Sequence, residues 1–415
     1  MKLFKNETLS KNGELMKFFK LSDFDYTNKR VIVRTGFDIP FDDNGNITDD
    51  SRIRKIMPSL KYLLKKNAKI IIISHNGRPK GKYIAKLSME KVGKRLSKLL
   101  KQKVTTLDDC IGNSVRQSIE EMSSGNIILL ENLRFHKEEK SKDKAQRDQF
   151  GKELASYADY YVNEAFANAH RKHASMTSIP QYIPSCAGLL LEQELKTMGK
   201  VIHSPKKPYI AIIGGKKADK IEVINNLLGK VNKILLGGVL ANTFLKAKGY
   251  NIGKSLYDKE TVNFAKKLLK ERKIILPSDV AVGDKYTNNA HKKNVSIDDI
   301  PNGWTALDIG KKTANTYCKL LKGAKTIVFF GTMGAFELTK FSYGTKQLLK
   351  AMASSSADTI LGGGDSAASA DKFRLENKMT HVSTGGGASL ALFSGKELSS
   401  VKALEDNYKK YRNKI

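Results

Sequence analysis

The sequence predicts an α/β protein with open, mostly parallel sheets covered by helices on both faces and divided into two halves. Three observations carry this. Short β-branched runs alternate with stretches of helical period along most of the chain. Runs such as Lys69 to Ser74 show no polar alternation, as expected of parallel strands buried on both faces. Arginine and glycine are also segregated. Ten of the 13 arginines lie at or before Arg171, whereas 23 of the 32 glycines lie at or after Gly188. The first half is thus equipped with forked cations and the second with flexible turns.

The 415 residues, 40% apolar, suffice for two domains with separate cores. No apolar run approaches membrane-span length, and the N-terminus, with Glu7 and Glu14, fits neither a signal nor a transit peptide. Cys110, Cys186 and Cys318 are isolated, so disulfides and structural zinc are not expected and a soluble cytoplasmic protein is. The formal charge of +31 comes mainly from lysines scattered along the chain, without a basic arm or an aromatic-interleaved stripe. That pattern reads as a solvated surface, not specific nucleic-acid binding.

In chain order, residues 1–15 read as a disordered extension and Met16 as the start of a first domain, 16–187. Val31 to Thr35 is a strand, and Ser51 caps a helix to about Lys65 whose apolar side carries Ile53, Met57, Leu60 and Leu63. Further helices are predicted near 89–101, 113–122 and 143–157, and strands near 69–74, 103–106, 126–131 and 158–162. Residues 188–203 form a helix joining the halves. A second domain, 204–395, has strands near 209–213, 233–236, 273–276, 325–330, 357–361 and 380–382. Residues 396–415 are expected to return to the first domain.

Ligands on such sheets bind beyond the carboxyl ends of the strands. Asp38, the pair His75 and Arg78, the pair Asn132 and Arg134, and the stretch Glu164 to Arg171 all take that address, which argues for one anion site in the first half. In the second half four glycine-rich turns follow strands: Gly214-Gly215, Gly331 to Gly334, Gly362 to Ser366, and Ser383 to Gly387. The first opens a helix with Lys216, Lys217 and Lys220. Free N–H groups at a helix start, close backbone approach at glycine and mobile lysine charges together suit a phosphate chain.

These residues resemble a known family. Asp49-Asp50-Ser51-Arg52-Ile53-Arg54, Ser74-His75-Asn76-Gly77-Arg78-Pro79, Leu130-Glu131-Asn132-Leu133-Arg134-Phe135, Asn163-Glu164-Ala165-Phe166 and Ala169-His170-Arg171 resemble phosphoglycerate kinase in order and spacing, as do Gly362 to Ala367 and Ser383 to Ser389. The likeness runs from about residue 20 to about 404. It implies a hinge-bending kinase of two Rossmann-like lobes, joined by a helix, that moves a phosphoryl group between 1,3-bisphosphoglycerate and ADP to give 3-phosphoglycerate and ATP.

By matching position, Asp38, Arg52, His75, Arg78, Arg134, His170 and Arg171 are the implied phosphoglycerate-binding residues. Gly214, Gly215, Lys217, Lys220, Glu337, Gly364, Asp365 and Ser366 are the implied nucleotide-binding residues. Arg52, Lys217, Lys220 and Gly386 are implied at the reaction centre. ATP or ADP with Mg2+ is the implied cofactor, Asp365 lying near the nucleotide-bound metal, and the implied state is a monomer. Arg34 and Arg54 read as structural, and Lys220 admits a plain solvated-charge reading.

The chain departs from the family pattern at several points. Gly36 and Asp38 replace an aspartate and an asparagine, Phe330 an asparagine, Val239 a glycine and Ala391 a glutamate. The loop lysines are one residue closer than usual, so that either Lys217 with Lys220 or Lys216 with Lys220 forms the pair. These departures leave a second reading, a kinase-like protein that binds a nucleotide or phosphorylated metabolite without efficient transfer. A weaker third is polyanion association through the lysine surface.

Overall fold

The computed structural model describes residues 17–215 and 220–414. The chain separates into two compact units, one running up to Lys196 and resumed from Glu397, the other Thr197–Lys396.

The first unit holds a seven-stranded sheet. In chain order its strands are β1 (Phe19–Lys20), β2 (Arg30–Arg34), β3 (Lys69–Ile73), β4 (Val104–Thr106), β5 (Ile127–Leu129), β6 (Tyr160–Asn163) and β7 (Ser185–Ala187), and their spatial order is β1-β7-β6-β2-β3-β5-β4. Every pairing is parallel. The helices are α1 (Ser51–Lys65), α2 (Glu90–Leu100), α3 (Asn113–Glu120), α4 (Lys144–Ala155) and the single turn α5 (Ala174–Thr177), before α6 (Leu189–His203). Ile70 to Ile73 are fully buried, as a central strand covered on both faces requires. Ile53, Ile56, Leu60 and Leu63 of α1 pack into the same core as Val31, Val33, Ile70 and Ile72. One detail at α1 differs from expectation: Ser51 is the first residue of the helix, and Asp50 precedes it with its carboxylate committed to Arg54 and Arg95.

The second unit holds β8 (Tyr209–Ile213), α7 (Lys220–Leu228), β9 (Lys233–Leu236), α8 (Gly238–Ala247), α9 (Val262–Leu268) and β10 (Ile274–Ile275). It continues with β11 (Asp279–Gly283), β12 (Lys292–Ser296), β13 (Thr305–Ile309), α10 (Lys311–Leu321), β14 (Thr326–Phe330) and α11 (Tyr343–Ala353). Then follow β15 (Asp358–Gly362), α12 (Gly364–Lys372), β16 (His381–Val382) and α13 (Gly386–Phe393). Six strands form a parallel sheet in the order β10-β9-β8-β14-β15-β16. A separate antiparallel sheet, β12-β11-β13, has its own small core of Val280, Val282, Ile252, Ile297 and Ile300.

The last helix, α14 (Ser399–Tyr411), belongs to the first unit. Asn407 donates from Nδ2 to the Pro180 and Ile183 carbonyls at 2.6 and 2.8 Å and accepts from the Ser185 N–H at 2.9 Å, so one buried amide satisfies three backbone groups. Tyr408 stacks obliquely on Phe19, 4.8 Å between ring centres.

Candidate active-site halves

In the first unit the loops leaving β2, β3, β5 and β6 gather the arginines at the carboxyl edge of the sheet. Their foundation is Arg34, the last residue of β2. It is fully buried; its Nε donates to Ser175 Oγ at 2.7 Å, one Nη donates to the Thr35 carbonyl, and the other donates to His75 Nδ1 at 3.0 Å. Glu139, equally buried, lies 3.8 Å from Arg34 and accepts from Ser175 N–H and Oγ at 2.9 and 2.7 Å. Burial pushes the Glu139 carboxyl up, while Arg34 and the Ser175 bonds pull it back. This layer is structural, as the sequence reading held for Arg34. Arg54 is structural as well, pairing with Asp50 at 2.7 Å.

Above that layer the cations are left open. Arg30, Arg54 and Arg95 each have a carboxylate partner. Arg52 (half-buried on α1), Arg78 and Arg171 have none among the described residues. Arg134 donates from one Nη to the Gly77 carbonyl at 2.7 Å, and its buried Nε has no protein partner. Burial and then Arg34 push its guanidinium down to about 10, still charged at neutral pH. Arg134, Arg171 and Arg78, after burial, also hold the Lys140 ammonium below its usual range, which places all four cations in one field. Asp38 is exposed and accepts the Gly77 N–H at 2.9 Å, tying the β2 loop to the β3 loop.

The histidines here are neutral. Burial, reinforced by Arg34, Arg134, His173 and Arg52, holds His75 well below the usual histidine range. Burial and Arg171 hold His170 at about 4, and burial with Arg34 and Arg134 holds His173 at about 2. His170 Nδ1 is buried without a protein partner. His75 itself is only 2% exposed and is held by the buried Arg34.

Glu164 has a different task. Its carboxylate accepts from Ser59 Oγ and from the N–H groups of Leu190 and Leu191 at 3.0 and 3.2 Å, so it caps α6 from the loop that leads to His170 and Arg171. Burial, against these donors, raises it to about 7.

In the second unit the glycine turns close on one another. Gly214 N–H bonds the Phe330 carbonyl at 2.9 Å, Gly238 N–H the Met333 carbonyl at 2.8 Å, and Gly331 N–H Ser366 Oγ at 2.7 Å. Gly215, Gly331 and Gly363 have φ of +90°, +79° and +100°, which side chains rarely adopt. A methyl group on Gly386, at the start of α13, would lie 3.1 Å from the Gly364 N–H nitrogen at the start of α12. Two helix N-termini thereby point from one rim. Asp365, in the first turn of α12, is exposed and makes no ion pair among the described residues. Glu337 is exposed and accepts the Tyr286 phenol.

Lys220 is 6% exposed, with its ammonium donated to the Gly214 carbonyl inside the turn. The solvated-charge reading is therefore wrong. Lys216 and Lys217, with the choice between them, lie outside the described residues, as does the extension at 1–15. Phe330 is wholly buried, packing on Phe393 with ring centres 4.6 Å apart and filling the space that Gly362 leaves. It has joined the core, so its replacement of an amide is a packing change. Val239 lines a shallow cleft of about 400 Å³ with Leu256 and Asp258, and Leu256 is 62% exposed.

Sequence reasoning missed Lys140 and the capping role of Glu164. Lys140 ends the run Lys137-Glu138-Glu139-Lys140, which reads as a solvated face; its closeness in sequence to Arg134 was the available signal. Nothing local in the sequence reports that Glu164 reaches α6.

Arginines without acidic partners on one α/β unit and glycine turns at helix starts on another have the chemistry a phosphotransferase needs. Residues 21–396 match the profile of the family described as phosphoglycerate kinase. The phosphoglycerate kinase of Moorella thermoacetica is 44% identical over 392 residues, covering 93% of this chain and 98% of that one. That of Trichodesmium erythraeum is 46% identical over 394 residues, with the same coverages. The solved structure of phosphoglycerate kinase from Coxiella burnetii superposes with a TM-score of 0.83 at 38% identity, over 94% of this chain and 99% of the other. The enzyme from Pyrococcus horikoshii gives 0.84 at 35%, over 94% and 100%. The chain belongs to the phosphoglycerate kinase family.

Proposed function

We propose that this chain catalyses reversible phosphoryl transfer between the acyl phosphate of 1,3-bisphosphoglycerate and ADP. A β-phosphate oxygen of ADP attacks the acyl phosphorus, the bond from phosphorus to the carboxyl oxygen breaks, and 3-phosphoglycerate leaves as its carboxylate while ATP forms. The observation that carries the reading is the set of arginines without acidic partners, Arg52, Arg78 and Arg171 beside Arg134 with its open Nε. A metabolite bearing a phosphate and a carboxylate needs several forked cations, and leaving them unpaired in the free protein keeps them available.

His75 and His173, held neutral, support the arginines without adding like charge. His170 offers a buried ring nitrogen to a substrate oxygen. In the first unit Arg52 supplies charge for the moving phosphoryl group, and in the second unit Lys220 and the amides at Gly386 supply donors for phosphate oxygens. The turns at Gly214, Gly215 and Gly364, with Ser366 holding Gly331, receive the phosphate chain, Glu337 the ribose, and the Val239 and Leu256 ledge the base. Asp365, unpaired at a helix start, suits a nucleotide-bound Mg2+, which would neutralise phosphate charge there. The same reading takes the enzyme to be a cytoplasmic monomer; among the described residues no helix is long and apolar enough to cross a membrane.

The test is an assay of purified protein with MgATP and 3-phosphoglycerate, coupled to reduction of the acyl phosphate by the next glycolytic dehydrogenase. Substrate-dependent turnover is expected. Calorimetric binding of both substrates without turnover would replace the reading with that of a binding protein.

A further inference from the structure

At the outer edge of the first sheet the loops after β4 and β5 bring Asp109, Cys110 and His136 together. One carboxylate oxygen, the thiol sulfur and one ring nitrogen all lie within 4.8 Å of one another. His136 Nε2 is 2.7 Å from Asp109 Oδ1. Cys110 Sγ donates to the Glu131 carbonyl at 2.9 Å, and its own N–H donates to Asp109 Oδ1 at 2.6 Å. Packing and hydrogen bonds hold the surrounding residues. The His136 ring stacks on Phe150, 5.1 Å between centres and 29° apart. Glu131 is clamped by Ser88 Oγ and the N–H groups of Met89 and Asn132, each at 2.7 Å. The thiol is buried, while the Asp109 side chain is 49% and the His136 side chain 21% exposed, so a small ion reaches the trio from solvent.

We propose that Asp109, Cys110 and His136 form a binding site for a borderline divalent transition metal of the Zn2+ class, distinct from the nucleotide's magnesium. Sulfur and imidazole donors select zinc-like ions over Mg2+ and Ca2+, which require oxygen. Three protein ligands with an exposed flank leave a fourth position to water, the pattern of an open site and not of a closed structural one. On binding, the ion takes the sulfur as thiolate and the thiol proton passes to solvent. The Cys110 bond to the Glu131 carbonyl is lost, and the Asp109 and His136 ligand atoms part to admit the ion. His136 closes the short helical turn Leu133–Phe135 that carries Arg134, so an occupied site pins that turn.

The probe is Co2+ added to chelator-treated, nucleotide-free protein. One equivalent is expected to give a thiolate-to-cobalt charge-transfer band with the intense visible bands of four-coordination, displaced by Zn2+. The charge-transfer band should vanish in Cys110→Ser, and Co2+ affinity should fall at least tenfold in His136→Ala. Zn2+ should raise the Tm of the unaltered protein and not of either variant. If Cys110→Ser does not fold, as read by circular dichroism without metal, the affinity loss in His136→Ala decides. A titration without the band, or a band unchanged in Cys110→Ser and so owed to Cys186 or Cys318, overturns the proposal.

Discussion

Replacing Lys220 by methionine separates two roles that its position permits. The lysine is 6% exposed and its ammonium bonds the Gly214 carbonyl, so the charge lies in a poorly screened part of the glycine rim. Methionine keeps the stem and removes the charge. If the charge stabilises the moving phosphoryl group, its loss resembles loss of one preorganised electrostatic donor, about 3–4 kcal/mol in the transition state, or about 10²–10³ in kcat. The Gly214 carbonyl also loses a charge-assisted partner, which costs about 1–3 kcal/mol of stability. The coupled assay gives kcat and the KM for each substrate, and urea unfolding gives the stability term. The expected pattern is a kcat down at least a hundredfold, with the KM for 3-phosphoglycerate within about threefold. A kcat within threefold of the parent protein, with stability alone reduced, would refute the catalytic role and leave Lys220 as a brace for the turn.

Three further outcomes follow from the first unit. Arg134→Ala should raise the KM for 3-phosphoglycerate about 10- to 100-fold through loss of charge-assisted bonds, with the KM for MgATP nearly unchanged in the same assay. Glu139→Ala strands the buried Arg34, and chemical denaturation should show a loss of about 3–5 kcal/mol. Glu164, raised from 4.5 to about 7, binds more protons folded than unfolded between those values, so its contribution to stability is lost as pH rises through 7. Glu164→Gln should therefore gain on the parent protein between pH 5 and pH 8, by up to about 3 kcal/mol in urea unfolding; a pH-independent difference would show that Glu164 does not titrate there.

Much of the fold was legible because parallel strands buried on both faces leave unbroken apolar runs. The strands at Tyr209–Ile213 and Lys233–Leu236 match their expected bounds, the helix Leu189–His203 starts one residue later than expected, and others moved by one or two residues at their ends. The antiparallel sheet β11 to β13 was not anticipated. Lys292–Ser296 is half-exposed and lysine-rich, and its partners owe their place to a small separate core. That charged residues gather on the loops after strands could be read from type and position, as with Arg134 after β5 and Arg171 after β6. Residues that act through burial could not: Phe330 is defined by the empty space at Gly362, Lys220 by the carbonyl it meets, and Glu164 by a helix that starts 25 residues later.

The central claim is that the phosphoryl group passes to the nucleotide and not to water. It is tested most directly by adding 1,3-bisphosphoglycerate and MgADP and counting ATP against 3-phosphoglycerate for the parent protein and Arg52→Ala. The account predicts one ATP per 3-phosphoglycerate above the spontaneous background, and a rate at least a hundredfold lower in the variant. Release of 3-phosphoglycerate without ATP, or equal rates in the two proteins, would contradict it.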